Sequence, residues 1–333
     1  MPLPPGVHAP VPGPPGPPPP GSRTVRTDDG VDLHVEVVDG REDGGAGGGG
    51  TAGLTVVFCH GFTARLAEFD VHRPALRDRV RLVFWDQRGH GRSGWTRLTA
   101  ATIDRTGRDL GQVLDAVVPQ GPVVLVGHSM GGMTIMALAR QRPELFGTRV
   151  VGAFLLATSS GGLVSGGVLG LWVTAIRRLH LLGLWLRWLQ FIAPLLERFR
   201  RRGTAIGRWF TRRYLFGRHD ADPADVRLLQ DMLEETPYTV TMAFWATFLD
   251  HDETAALPVL GRVPTTVVAA TDDRLTPVGH GRRVAELLGD HAELLVVPGA
   301  GHSVNLTRTE VVDRALAELL DRVEDRLHTP RIG

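Results

Sequence analysis

One serine in this sequence lies in a pattern that can form a nucleophile. Ser129 is the centre of G-H-S-M-G, directly after the apolar run 123–127 and before a stretch of helical character. A sharp strand-to-helix turn exposes the serine hydroxyl, and Gly127 and Gly131 avoid clashes with nearby backbone. The first N–H groups of the helix would face a reacting carbonyl oxygen. The pattern predicts acyl-group chemistry at Ser129; the alternative is an incidental serine in a tight turn.

A base and an acid should follow this serine in the chain. His302 stands between small residues after one apolar run, and Asp272 and Asp273 follow another. His302 can accept the proton of Ser129, while a carboxylate on its far nitrogen holds the tautomer and stabilises the charged ring. We choose Asp273, because it lies further from its strand and nearer Pro277, where the loop should turn back. Asp272 and a merely surface-exposed His302 remain the alternatives.

The loop at 60–62 can supply a second group to this site. An apolar run ends in His60-Gly61-Phe62, and the backbone there can present an N–H towards the serine. The N–H groups of Phe62 and Met130 would form the oxyanion hole. His60 is interpreted as a structural, hydrogen-bonded residue that supports the loop, and not as the base.

A third loop follows the strand that ends near residue 85. It reads D-Q-R-G-H-G-R-S over 86–93. Asp86 and Arg88 are predicted to fix a tight loop through ion pairing and backbone hydrogen bonds. His90 as a catalytic base is the less favoured interpretation.

The elements around these loops predict an α/β fold. Apolar runs with both faces covered are typical of parallel strands, and helical stretches separate most of them. A hairpin at 23–27 and 31–38 precedes them. We therefore expect a doubly wound, mostly parallel eight-stranded sheet. The other six predicted strands are 54–59, 80–85, 123–127, 150–157, 265–270 and 294–297; the predicted helices are 102–118, 130–141, 278–288 and 310–327.

Composition divides the chain into three parts. Residues 1–22 are proline-rich and are expected to be a disordered tail. The core is expected to comprise 23–158 and 258–327, with a glycine-rich loop at 44–53. Residues 159–257 interrupt the strand–helix rhythm with apolar, helix-compatible segments. This insertion is predicted to be a helical cap over the carboxyl edge of the sheet, where ligands bind in such folds.

Charge and cysteine content exclude several classes of protein. The formal net charge is +1, which gives no indication of nucleic-acid binding. Cys59 is the single cysteine, so the chain can form neither an internal disulfide nor a multi-cysteine metal site. Residues 1–22 lack the basic and apolar regions of a secretion signal, and a cytoplasmic location is expected.

Together these motifs resemble those of the α/β-hydrolase superfamily, in its capped esterase, lipase and cofactor-free haloperoxidase-like branch. The chain order serine, aspartate, histidine matches the family pattern. The resemblance implies a triad of Ser129, Asp273 and His302, oxyanion amides from Phe62 and Met130, and no metal or organic cofactor. The motifs that carry it are FCHGF at 58–62, DQRGHGRS at 86–93, GHSMGG at 127–132, DDRLTP at 272–277 and GAGHS at 299–303.

The insertion bears on the substrate. Residues 177–218 hold eleven arginines and one acidic residue, Glu197, among many Trp and Leu residues. The arginines at 177, 178 and 187 argue against a membrane-spanning helix. Either the apolar face packs on the core under solvated arginines, which we favour, or a basic lid contacts an anionic membrane surface. An apolar or amphiphilic small-molecule acyl substrate is expected.

The predicted reaction is hydrolysis of a carboxylic ester through an acyl-enzyme. The same triad would serve a carbon–carbon bond hydrolase, a perhydrolase, an amidase or an acyltransferase, since fold alone does not decide the chemistry. A ligand-binding module with a vestigial triad is an alternative of another class.

Overall fold

Eight β-strands form the core of the protein. The computed structural model describes residues 17–19, 21–40, 53–94, 98–163, 212–217 and 221–329. Residues 1–16 of the predicted tail, 44–52 of the glycine-rich loop and 177–211 of the Arg-rich segment lie outside them. The strands are β1 (Ser22–Arg26), β2 (Asp32–Val38), β3 (Thr55–Cys59), β4 (Arg81–Trp85), β5 (Val123–His128), β6 (Val150–Leu156), β7 (Thr265–Ala270) and β8 (Ala292–Val297).

The strands form one sheet in the order β1-β2-β4-β3-β5-β6-β7-β8. β2 runs antiparallel to β1 and β4, and all other neighbouring strands are parallel. Cys59 lies opposite Gly127, and His128 lies opposite Leu156, so the loops after β3, β5 and β6 leave the sheet side by side. The predicted mostly parallel, eight-stranded α/β sheet is confirmed.

Helices cover both faces of this sheet. Besides the helical residues 212–215, the α-helices of the described residues are α1 (Arg73–Leu76), α2 (Ile103–Val117), α3 (Met130–Gln141), α4 (Pro223–Glu235), α5 (Tyr238–Leu249), α6 (Leu257–Leu260), α7 (Val278–Leu288), α8 (Val304–Thr307) and α9 (Thr309–His328). Short 3₁₀ segments include Leu66–His72. None of these helices is long and apolar enough to cross a lipid bilayer.

The apolar strand runs have a simple physical cause. In β3, Val57 and Cys59 point into a core shared with α2, α3, α6 and α7, whereas Val56 and Phe58 point into a core shared with α9. Successive side chains alternate between faces, and both faces here are buried. Cys59 is fully buried, and burial raises the pKa of its thiol to about 12, which supports a packing role.

Within the insertion, α5 lies next to the helix that follows β5. Val240 and Phe244 of α5 pack in one cluster with Met130 and Met133 of α3. The nearly all-apolar sequence of α5 fits this position, because it contacts the core and adjoins the carboxyl edge of the sheet. The exact limits of a cap at 159–257 stay a prediction.

The loop 86–93 is held by buried polar contacts, as predicted. Asp86 accepts hydrogen bonds from the backbone N–H of Leu66 and of Arg92, both at 2.8 Å. Arg88 is almost fully buried and forms a two-pronged ion pair with Asp109 of α2, at 2.5 and 2.7 Å. These contacts fasten the loop to the 3₁₀ segment Leu66–His72 and to α2, so removing one charge would leave the other buried.

We expect Asp109→Asn to lower the free energy of unfolding by about 3–5 kcal/mol, because it leaves the Arg88 guanidinium without its main buried counter-charge. Asp115→Asn on the same helix is the matched control. Asp115 pairs with Arg142 and is half-exposed, so its loss should cost less than about 1 kcal/mol. Urea unfolding measures both, and equal effects in the two variants would contradict this account.

Candidate active site

Ser129 occupies a strained turn between β5 and α3. Its φ of 51° and ψ of −114° lie in a region that residues with a Cβ rarely adopt, a conformation that persists only where surrounding contacts enforce it. Here its N–H donates to the carbonyl of Leu156 at 2.9 Å, and its own carbonyl accepts the hydroxyl of Thr158 at 2.7 Å. The serine is thereby fixed at the carboxyl edge of the sheet.

The two glycines of the motif are required by close backbone contacts. A Cβ on Gly127 would lie 2.6 Å from the carbonyl carbon of Gly131. A Cβ on Gly131 would overlap the carbonyl of Cys59. The end of β3 therefore lies directly against the first turn of α3, and the spacing G-x-S-x-G follows from that contact.

His302 and Asp273 meet in a buried hydrogen bond. His302 Nδ1 lies 2.8 Å from Asp273 Oδ2, and both side chains are about 95% buried. Because Nδ1 donates to the carboxylate, Nε2 of the neutral ring carries a lone pair that can take a proton. The structure therefore gives His302 the tautomer that a general base needs.

Asp273 is held as a carboxylate by its surroundings. Burial by itself would favour the neutral form of Asp273. The charge and hydrogen bond of His302, together with hydrogen bonds from the N–H and hydroxyl of Thr276, outweigh burial. The pKa of Asp273 is therefore lowered. Its Oδ1 accepts the N–H of Leu275 at 2.8 Å and of Thr276 at 2.9 Å. Asp272 makes different contacts: its N–H donates to Ala300, and its carboxylate accepts the Thr271 hydroxyl at 3.3 Å.

Thr276 is a site residue that the motif comparison did not single out. Its hydroxyl lies 2.7 Å from Asp273 Oδ2, 3.3 Å from His302 Nδ1 and 2.8 Å from the carbonyl of Ala157. It therefore ties Asp273 and His302 to the end of β6, next to Thr158. A threonine three residues after an aspartate is a signal for such a turn, since the aspartate can accept its N–H.

The serine and histidine loops meet through His128. The rings of His128 and His302 are 4.9 Å apart between centroids, and His128 Nε2 lies 3.0 Å from the carbonyl oxygen of His302. His128 is the residue immediately before Ser129. The structure thus brings Ser129, Asp273 and His302 to one edge of the sheet, as the sequence motifs require.

The loop that carries Phe62 lies beside the first turn of α3. Gly61 donates its N–H to Glu68 Oε2 at 2.8 Å, and Thr63 has a φ of 56°, so the chain turns sharply around Phe62. Met130 is the first residue of α3, and its N–H has no carbonyl one turn earlier within the helix. The two N–H groups therefore come from the adjoining ends of β3 and β5.

The surroundings of two other histidines near this loop do not suit a general base. His60 Nε2 accepts the N–H of Gln87 at 2.9 Å, which supports its interpretation as a structural residue. His90 packs against His60 and Phe62, and burial, aided by His60, lowers the pKa of His90 to about 3. So weak a base is poorly suited to accept a proton from serine near neutral pH.

Apolar side chains adjoin these groups. The ring of Phe62 contacts Phe244 and Phe248 of α5, at centroid distances of 6.2 and 5.0 Å. Phe62 packs against the same cluster as Met130 and Met133. Within the part of the chain that the structure describes, no three His, Cys, Asp or Glu side chains are grouped to hold a metal ion.

Comparison with known proteins gives relatives of several activities. The chain is 28% identical over 283 residues to the dihydrolipoyllysine-residue acetyltransferase component of the acetoin cleaving system of Pseudomonas putida, which covers 82% of this chain. A stretch of 131 residues, 38% of this chain, is 32% identical to the sn-1-specific diacylglycerol lipase ABHD11 of Mus musculus. The matches span 65% and 39% of those two proteins, respectively.

Solved structures and a family match agree with the fold. A thermophilic esterase from Thermogutta terrifontis superposes with a TM-score of 0.69 at 23% identity, over 91% of this chain and 99% of that one. At this identity the likeness shows the fold alone. The sequence profile of the alpha/beta hydrolase family matches residues 56–315, which is well over half of the chain. This chain therefore belongs to the alpha/beta hydrolase family.

Proposed function

We propose that this chain is a serine hydrolase that cleaves carboxylic esters, with Ser129 as nucleophile, His302 as general base and Asp273 as the orienting carboxylate. One observation carries the proposal: the buried hydrogen bond between His302 and Asp273, beside a serine held at positive φ. A structural role alone would not require a strained serine that directly follows His128, whose ring contacts an imidazole with a second nitrogen able to accept a proton.

The first half of the reaction forms an acyl-enzyme. Ser129 Oγ attacks the ester carbonyl carbon while His302 Nε2 takes the hydroxyl proton. The negative charge that develops on the carbonyl oxygen is stabilised by the N–H groups of Phe62 and Met130. The carbon–oxygen bond to the alcohol then breaks, and His302 returns the proton to the leaving alcohol. Asp273 stabilises the imidazolium throughout.

The second half releases the acid. His302 removes a proton from a water molecule, whose oxygen attacks the acyl carbon. The bond to Ser129 Oγ breaks, the serine recovers its proton from His302, and the carboxylic acid leaves. The proton thus passes through one imidazole in both halves.

The surroundings favour an apolar or amphiphilic acyl group. Phe62 and Met130 carry the proposed oxyanion N–H groups. Their side chains also belong to the apolar cluster with α5. The ring of Phe62 also contacts those of Phe244 and Phe248. The similarity to the diacylglycerol lipase of Mus musculus supports this class of substrate.

Acyl transfer to an acceptor other than water is the second candidate. It is favoured by the name of the Pseudomonas relative, an acetyltransferase component. Product analysis with and without a competing alcohol separates the two, because a transferase would yield the new ester in preference to the free acid. A binding module without activity would not react with a fluorophosphonate.

Ser129→Ala should lower kcat for p-nitrophenyl ester hydrolysis by about 10⁶-fold or to background, because the attacking oxygen is lost. Ser160→Ala is the matched control. Ser160 is another buried serine beyond the end of β6, and its loss should leave kcat within a few fold. Retained activity in Ser129→Ala would move the nucleophile elsewhere and refute the proposal.

Asp273→Asn and its neighbour Asp272→Asn form a matched pair. Asparagine at 273 would favour the wrong tautomer of His302, and kcat should fall by about 10⁴-fold. Asparagine at 272 should change kcat by less than about tenfold, since Asp273, and not Asp272, holds His302. Steady-state kinetics measure both. The reverse order of effects would show that the acid has been misassigned.

Medium-chain p-nitrophenyl esters should be hydrolysed with higher kcat/KM than short or charged esters. Phe248→Ala should reduce that preference by about tenfold, because an apolar contact surface is lost, while kcat/KM for the acetate ester should change little. A profile that favours short, charged esters would contradict the proposed substrate class and leave the triad intact.

A further inference from the structure

A second buried carboxylate–imidazole pair lies next to the proposed triad. His128 Nδ1 is 2.7 Å from Glu68 Oε1, and both side chains are almost fully buried. The approach is bent away from the line of a good hydrogen bond, so the contact is chiefly one between charges. His128 ends β5, whereas Glu68 belongs to the 3₁₀ segment Leu66–His72. The reaction steps derived above use neither residue.

The contacts of the pair fix the position of its protons. His128 Nε2 faces the carbonyl oxygen of His302 at 3.0 Å, and a carbonyl can only accept, so Nε2 carries a proton. Burial disfavours a charge on either side chain. For each residue, the opposite charge of the other outweighs the effect of burial, so the pKa of His128 is raised and the pKa of Glu68 is lowered. Both shifts favour the charged forms, an imidazolium beside a carboxylate.

This ion pair connects three loops of the site. Glu68 Oε2 accepts the N–H of Gly61, the residue before the proposed oxyanion group of Phe62. His128 precedes Ser129 directly, and its Nε2–H holds the backbone of His302. Each contact is thus within one residue of a group that the proposed reaction uses. Loss of the pair would loosen all three loops together.

The two residues of the pair contact different parts of the site. The positive ring of His128 faces His302 at a centroid distance of 4.9 Å, whereas the carboxylate of Glu68 faces Gly61 on the other side. Asp273 is the negative group on His302, at 2.8 Å. The ring of His302 thus contacts both His128 and Asp273.

We propose that Glu68 and His128 are positioning residues for the hydrolysis proposed above: their contacts hold Gly61, Ser129 and His302, and the loops that carry them, in place relative to one another. The inference rests on the proposed function.

The double variant Glu68→Gln/His128→Gln tests this inference. Glutamine at both positions keeps hydrogen-bonding groups and removes both charges, so no buried charge is left unpaired. The control is His72→Gln, which breaks another histidine–carboxylate pair, that of His72 with the partly buried Asp313 at 2.6 Å. Circular dichroism and urea unfolding establish that each variant is folded before kinetics are measured on a p-nitrophenyl ester.

In the double variant, kcat should fall about 10- to 100-fold with KM within about threefold, because the reacting groups are less well aligned. His72→Gln should leave kcat within about threefold of the wild-type value. An unchanged kcat in the double variant, a rise in KM as large as the fall in kcat, or an equal fall of kcat in His72→Gln would overturn the inference. An inactive wild-type protein would instead refute the proposed hydrolase function, and the inference with it.

Discussion

The buried hydrogen bond between Asp273 and His302 is the interaction on which the site depends. It joins the loops after β7 and β8, and it leaves Nε2 of His302 able to take a proton. The carboxylate remains ionised in the interior because several donors converge on it, including the hydroxyl of Thr276. That hydroxyl also reaches Ala157 at the end of β6, so the acid–base pair is anchored to the strand next to the one that carries Ser129.

Backbone strain and buried charge are concentrated at this edge. Among the described residues, those with positive φ other than glycine are Thr63, Ser129 and Ala157, each in a loop that follows a parallel strand. Such conformations cost about 1–3 kcal/mol each. The buried ion pair of Glu68 and His128 adds a desolvation cost that its own attraction must offset. The rest of the sheet, with apolar side chains packed on both faces, supplies the stability that permits these features.

The sequence predicted the sheet and the serine turn well, because both arise from local patterns. Apolar runs predict strands that are covered on both faces, and the glycines around Ser129 reflect one close backbone contact. Strand limits were less predictable at the sheet edges. β8 begins at Ala292, two residues before the apolar run, because as an edge strand it includes the exposed residue Glu293. β1 begins at Ser22, which pairs with Glu36 and not with an apolar partner.

Contacts between distant polar residues were the least predictable part of the site. Spacing favoured Asp273 over Asp272 but did not decide it, since the choice depends on how the loop after β7 turns. Glu68, His128 and His302 are linked only by the fold: residues 68 and 302 are 234 positions apart in the sequence, and no local pattern of charge marks the link. Thr276 was more predictable from the sequence, because an aspartate followed three residues later by a threonine is typical of a turn.

The most direct test of the central claim is to locate the residue that a serine-reactive fluorophosphonate modifies. Peptide mapping by tandem mass spectrometry after brief labelling of the full chain should place the adduct on Ser129. The adduct should be absent when His302 is replaced by alanine, because the hydroxyl then has no base. Modification of another residue, or labelling of Ser129 at an unchanged rate without His302, would show that the three side chains do not act as one site.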